Sequence, residues 1–145
     1  MSQFMHQWVT QYLTMVFRKD AYDFKAYSKY KYFRDTHQIY HLIRNGRCWL
    51  FAFDGGVYWS TGTGLYSDMD ALRQEQMVLA VDRELWKVND DIRWQEMCSI
   101  VMQDMIDVFA SNKQHRTLLL GYSWRVFCNN HRLKKLLKNV FRILL

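Results

Sequence analysis

The chain has 145 residues, half of them hydrophobic, with 20 Lys and Arg against 14 Asp and Glu, three cysteines and no proline. That length and apolar content exclude a disordered or low-complexity protein and predict a single globular domain, 1–145, with a buried core. Cys48, Cys98 and Cys128 are few, odd in number and far apart. They exclude a disulfide scaffold and a CxxC zinc knuckle, and place the protein in a reducing cytoplasm.

The N-terminal MSQFMHQWVTQYL lacks the basic start of a secretory signal. No apolar run reaches the length of a membrane span, so no transmembrane segment is expected. The net charge of +6 hides a segregation. Residues 1–60 hold eight basic and four acidic side chains, residues 61–111 four and ten, and residues 112–145 eight and none. A tail that is basic throughout attracts an anionic partner, or else packs beside the acidic middle and is neutralised by it.

In chain order, Phe4, Met5, Trp8, Val9, Tyr12, Leu13, Val16 and Phe17 recur at helical spacing and predict a helix over 3–18 with Ser2 as its cap. Residues 19–25 read as a connection. β-formers and glycine turns then predict strands near 26–33, 37–44, 47–53 and 57–60. Residues 60–68, STGTGLYSD, are a loop that ends at Ser67, the cap of a helix running to Trp86. Asn89 starts a second helix that ends at Ser111-Asn112, TLLLGYSWRVF (117–127) reads as a further strand with Gly121 as a bulge, and Asn129 or Asn130 caps a last helix through Ile143. The fold class is therefore α+β: a mainly antiparallel sheet of three to five strands against three to four helices.

Asn45-Gly46 is a strong two-residue hairpin signal, and it would sort the strands into two faces. One is small and aliphatic: Ile39, Ile43, Leu50, Ala52 and Val57. The other carries Tyr40, Trp49, Phe51 and Tyr58, with the arginine pair Arg44 and Arg47 at its end. Trp and Phe on a strand are ordinarily covered by other elements as core; left open, rings beside arginines suit the stacking of nucleic-acid bases or the core of a protein interface. No RNP consensus is present.

The last helix is the cleanest pattern in the chain. Leu133, Leu136, Leu137, Val140, Phe141 and Leu144 form one stripe, and Arg132, Lys134, Lys135, Lys138 and Arg142 the other side. Such a helix docks its stripe on its own core, lies on an anionic membrane, enters an acidic groove or contacts phosphates; docking with the charges in water is the expected disposition.

Catalytic chemistry has no comparable signal. His37 and His41 would lie about 13 Å apart on one extended strand, too far to share a metal. Cys128 with His131 is a poorer metal pair still. TGTG lacks the phosphate-cradling frame, the acids of 68–107 spread over helix surfaces, and Cys48 reads as an inert core thiol. No catalytic residue, metal site or cofactor is assigned.

These features predict a non-enzymatic basic binding protein. Its partner would be nucleic acid or an acidic protein surface, held by Arg44, Arg47, Lys134, Lys135, Lys138 and Arg142, with Tyr40, Trp49, Phe51 and Tyr58 for stacking or interface. The other reading is a protein–protein module, an inhibitor, immunity factor, viral or phage accessory protein or homodimer, that uses the aromatic sheet face.

Overall fold

A computed structural model describes residues 15–45 and 69–145. The chain divides into two compact units, Met1–Asp68 and Met69–Leu145. Among the described residues 79% are helical and none belongs to a strand. The α+β expectation is therefore corrected: the described residues are helical, and no sheet is found among them.

In the first unit, a 3-10 turn at Lys19–Ala21 follows residues 15–18, which are not helical. The predicted first helix thus does not reach Phe17, and its earlier part lies outside the described residues. Helix α1, Phe24–Tyr27, starts where the Asp23 carboxylate accepts the backbone N–H groups of Lys25 and Ala26 at 3.0 and 3.1 Å. Helix α2, Asp35–Asn45, occupies the predicted strand 37–44. Asn45 is its last residue, not the corner of a hairpin. The segment 28–34 between these helices is irregular, which removes the predicted strand 26–33 as well.

The physical reason lies in the spacing. Ile39, Leu42 and Ile43 stand at i, i+3 and i+4, which is one face of a helix, and β-former content hides that period. His37 through Leu42 are all buried, so α2 is enclosed on every side at that level. Its partners are aromatic. Tyr27 stacks edge-on to His41 at 5.5 Å, Tyr30 lies 4.2 Å from the His37 ring, and the Tyr30 hydroxyl bonds His41 Nε2 at 2.7 Å. Burial, and then the nearby Arg44 charge, hold His41 below the usual imidazole range, so this ring is neutral at pH 7.

The second unit is an all-helical array: α3 Ala71–Asn89, α4 Ile92–Phe109, α5 Arg116–Asn130 and α6 Leu133–Leu144. Short connections make consecutive helices pack on one another. Asp70 caps α3 through the Arg73 N–H at 2.8 Å. Asp91 caps α4 through the Arg93 N–H and also chelates the Arg93 guanidinium. Both caps sit a few residues beyond the expected Ser67 and Asn89. Asn89 instead ends α3, and Asp90 makes the reversal in a left-handed conformation (φ 51°) that aspartate tolerates better than most residues.

Residues 117–127, expected as a strand, lie within α5. Leu119, Tyr122, Ser123 and Val126 are its buried positions, again at helical spacing. Leucine favours helix, and only Thr117 and Val126 in this stretch are β-branched. The core joins Leu72 and Leu79 of α3 to Cys98, Val101, Met102, Met105 and Ile106 of α4, Leu119, Tyr122 and Val126 of α5, and Ile143 of α6.

Among the described residues one carboxyl group is buried. Asp82 on α3 is only 4% exposed, and burial pushes its carboxyl up to about 7. Its charge is felt by the Cys98 thiol of α4, which burial first and Asp82 second push up to about 12. Because the folded carboxyl titrates above its unfolded value of 3.8, its cost is absent below that value, grows as pH rises towards 7 and is constant above. Between pH 5 and pH 8 the loss amounts to about 3 kcal/mol at most. Asp82→Asn is expected to melt at the higher temperature at pH 8, and the gap between the two proteins should shrink at pH 5; a constant gap in thermal melts would refute the assignment.

Gly121 tests the helix directly. A Cβ built there meets nothing within 4 Å, so Gly121→Ala should stabilise the protein by about 0.5–1 kcal/mol in urea titration. A strand bulge would make the same substitution destabilising.

Candidate anion-binding surface on the last helix

Helix α6 lacks a capping side chain at Arg132, since Asn129 and Asn130 remain inside α5. The preceding His131 closes α5 in the left-handed conformation (φ 52°). Asn129, expected as a cap, bridges helices instead: its Nδ2 donates to Ser99 Oγ at 2.8 Å and its Oδ1 accepts from Gln95 Nε2 at 3.1 Å.

What orients α6 is a second amide bridge. Asn139, 3% exposed, exchanges two hydrogen bonds with Gln103 of α4, at 2.9 and 3.2 Å. One turn further on, the Arg142 guanidinium pairs with the Asp107 carboxylate and donates to the Asp107 carbonyl at 3.1 Å. Ile143, fully buried, fills the space beside these contacts. The docked line of α6 is therefore Leu136, Asn139, Val140 and Ile143.

At 100° per residue, that line is centred roughly 80° away from the centre of the predicted leucine stripe. The expectation that the whole stripe docks is corrected. Leu136 and Val140 turn partly inward, whereas Leu133, Leu137, Phe141 and Leu144 are 58%, 60%, 68% and 53% exposed. Lys134 and Lys138 stand on the next row round the helix, exposed and making no ion pair among the described residues. Leu137, Lys138, Phe141 and Arg142 together line a shallow depression.

A cleft of about 250 Å³ opens on the other side of Arg142, bounded by Asp107, Lys113, Arg116 and Leu145 among others. With Asp107 neutralised by Arg142, Lys113 and Arg116 leave this wall cationic, and Arg116 Nε is buried without a hydrogen-bond acceptor. Neither residue stood out in the sequence, where they fell in a presumed loop and at the edge of a presumed strand.

Of the expected site residues, Lys134, Lys135, Lys138 and Arg142 are gathered on α6, with Lys135 half-buried. Arg44 and Tyr40 lie on α2, where Arg44 donates to the Tyr40 hydroxyl at 3.4 Å and lies over its ring at 5.9 Å. Tyr40 itself is fully buried, so it is core and not a stacking platform. Arg47, Trp49, Phe51 and Tyr58 lie outside the described residues, as do Cys48 and the predicted strands 47–53 and 57–60.

His37 and His41 are one helical turn apart, not 13 Å, which corrects the argument from strand geometry. One nitrogen of each ring is nevertheless engaged: His37 Nδ1 accepts the Arg34 N–H at 3.1 Å, and His41 Nε2 bonds Tyr30. Among the described residues no group of three His, Cys, Asp or Glu side chains is placed to hold a metal ion. No described helix is long and apolar enough to cross a membrane. Neither a known protein family, nor a curated protein, nor a solved structure matches the chain.

The amide bridge makes a quantitative expectation. Gln103→Ala should cost about 1–3 kcal/mol, because it strands a buried Asn139 amide, while Asp107→Ala at the half-exposed ion pair should cost less than about 1 kcal/mol. Replacing Gln103 and Asn139 together by leucine should recover most of the loss in urea denaturation. Equal costs for the two single substitutions would show that the ion pair, not the amide pair, holds α6.

Proposed function

We propose that this protein is a non-enzymatic binding protein that engages an anionic partner through α6. The observation that supports the reading is the pairing, on one exposed helix face, of an apolar ridge (Leu133, Leu137, Phe141, Leu144) with Lys134 and Lys138, which make no ion pair among the described residues. A helix serving only its own core would bury leucines and expose the asparagine. Here Asn139 is buried and the leucines are exposed, at a cost in stability that a partner would recover.

The long-range field agrees. Residues 112–145 carry eight cations and no acid, and among the described residues a single ion pair, Arg142 with Asp107, links them to the acidic middle. Packing of α6 beside the acidic helices thus leaves most of the tail's charge available to steer an anion. A cytoplasmic setting belongs to the same proposal, supported by the free thiols of Cys98 and Cys128.

Retention on immobilised heparin tests the electrostatic part. The wild type should bind and elute with salt, and Lys134→Glu with Lys138→Glu should elute at roughly half the salt concentration, since each lost anion contact lowers the salt dependence. Phe141→Ser should elute with the wild type. Unchanged elution of the lysine double variant would remove α6 as the anionic contact.

A further inference from the structure

We infer that the anionic partner of α6 is the surface of a lipid bilayer with acidic headgroups. This rests on the anionic-partner reading above and narrows it to one chemistry. The free face of α6 has two needs that must be met side by side. Leu133, Leu137, Phe141 and Leu144 require an apolar medium, and Lys134 and Lys138, on the adjacent row, require anions.

The alternatives meet only part of this. A nucleic-acid backbone would satisfy the lysines and leave the leucines in water. A second copy of α6, laid antiparallel across the ridge, would bring one basic row against the other and repel itself. A folded protein needs a broad interface, about 800 Å² from each side. The ridge is one convex helix face only about 17 Å long from Leu133 to Leu144.

A bilayer interface accepts a convex ridge without a matching groove, takes leucine and phenylalanine below the phosphates, and offers acidic headgroups at the level of the lysines. The amphipathic helix then lies along the surface and does not span it, in keeping with the absence of a described helix long and apolar enough to cross. The contact is shallow and reversible, because only one side of α6 is available while Asn139 and Ile143 stay docked.

The test is co-sedimentation of the full chain with vesicles of phosphatidylcholine alone and of phosphatidylcholine with about 30% phosphatidylserine, at moderate salt. The wild type should partition at least about tenfold more strongly onto the acidic vesicles. Leu137→Ser with Phe141→Ser should lose about tenfold of that binding while keeping its heparin elution and its circular dichroism spectrum, since both positions are exposed. Lys134→Glu with Lys138→Glu should lose its preference for the acidic vesicles and elute early from heparin, as above.

Equal binding to both vesicle types, or full binding by the serine variant, overturns the inference. Heparin retention with no vesicle binding overturns the lipid assignment alone and leaves a nucleic acid or an acidic protein as the partner. Failure on heparin and vesicles together overturns the anionic-partner reading beneath it.

Discussion

The rotation of α6 about its own axis decides what this protein presents to its surroundings, and a pair of side-chain amides sets it. Gln103 and Asn139 satisfy one another in a place where an unpaired amide would cost a large share of a small domain's stability. Two leucines at those positions would also fill the space, but a leucine contact is indifferent to a modest rotation, whereas two amides exchanging two hydrogen bonds are not. Arg142 on Asp107 adds a second point of registry one turn away. With the helix pinned at Asn139, the arc from Leu133 to Phe141 has nowhere to point but outward.

This pinning also explains why a strong sequence pattern was read correctly as a helix and incorrectly as a docking face. The α6 repeat of leucines is unmistakable, although the helix starts at Leu133, beyond the expected cap at Asn129 or Asn130. Which part of a wide apolar arc turns inward is fixed by partners on another helix, Gln103 and Asp107, which lie 36 and 35 residues before Asn139 and Arg142. No periodicity within α6 contains that information. The same holds for Asn129, whose side chain is the natural cap of a following helix but finds Ser99 and Gln95 first.

The strand assignments failed for a more local reason. In α2 and α5 the apolar residues are dense enough that composition and period compete. Tyr40, Leu42 and Ile43 suggest a sheet by type, yet Ile39, Leu42 and Ile43 suggest a helix by spacing, and spacing carries the geometry of burial. In α5 the decision turns on Leu119, Tyr122 and Val126 sharing one face. One association survived the change of fold: Tyr40 and Arg44 share a side in both readings, because a separation of four residues returns to the same side of a strand and of a helix alike, but only the helix brings them into contact. What changed is the ring's setting, from an open face to a closed core. The charge segregation needed no fold at all, and the cations of α6 were legible on that ground.

Segregated charge and an outward apolar ridge fit together once the cost of each is considered. A tail with eight cations and no acid repels itself, and pairing with the acidic α3 and α4 was the obvious relief. Among the described residues that relief is taken once, at Arg142, where it serves registry. Elsewhere the acids make local use of their charge: Asp70 and Asp91 cap their own helices and pair with Arg73 and Arg93. Asp82, which lies in the core and titrates near neutrality, offers no fixed countercharge to the tail. Asp70, Asp91 and Asp82 are thus not partners of the tail, and Lys134 and Lys138 stay on the surface beside the leucines. A surface that combines uncompensated cations with exposed leucine and phenylalanine is unstable against any medium supplying anions and hydrocarbon together, and that instability is the physical basis for assigning it a partner.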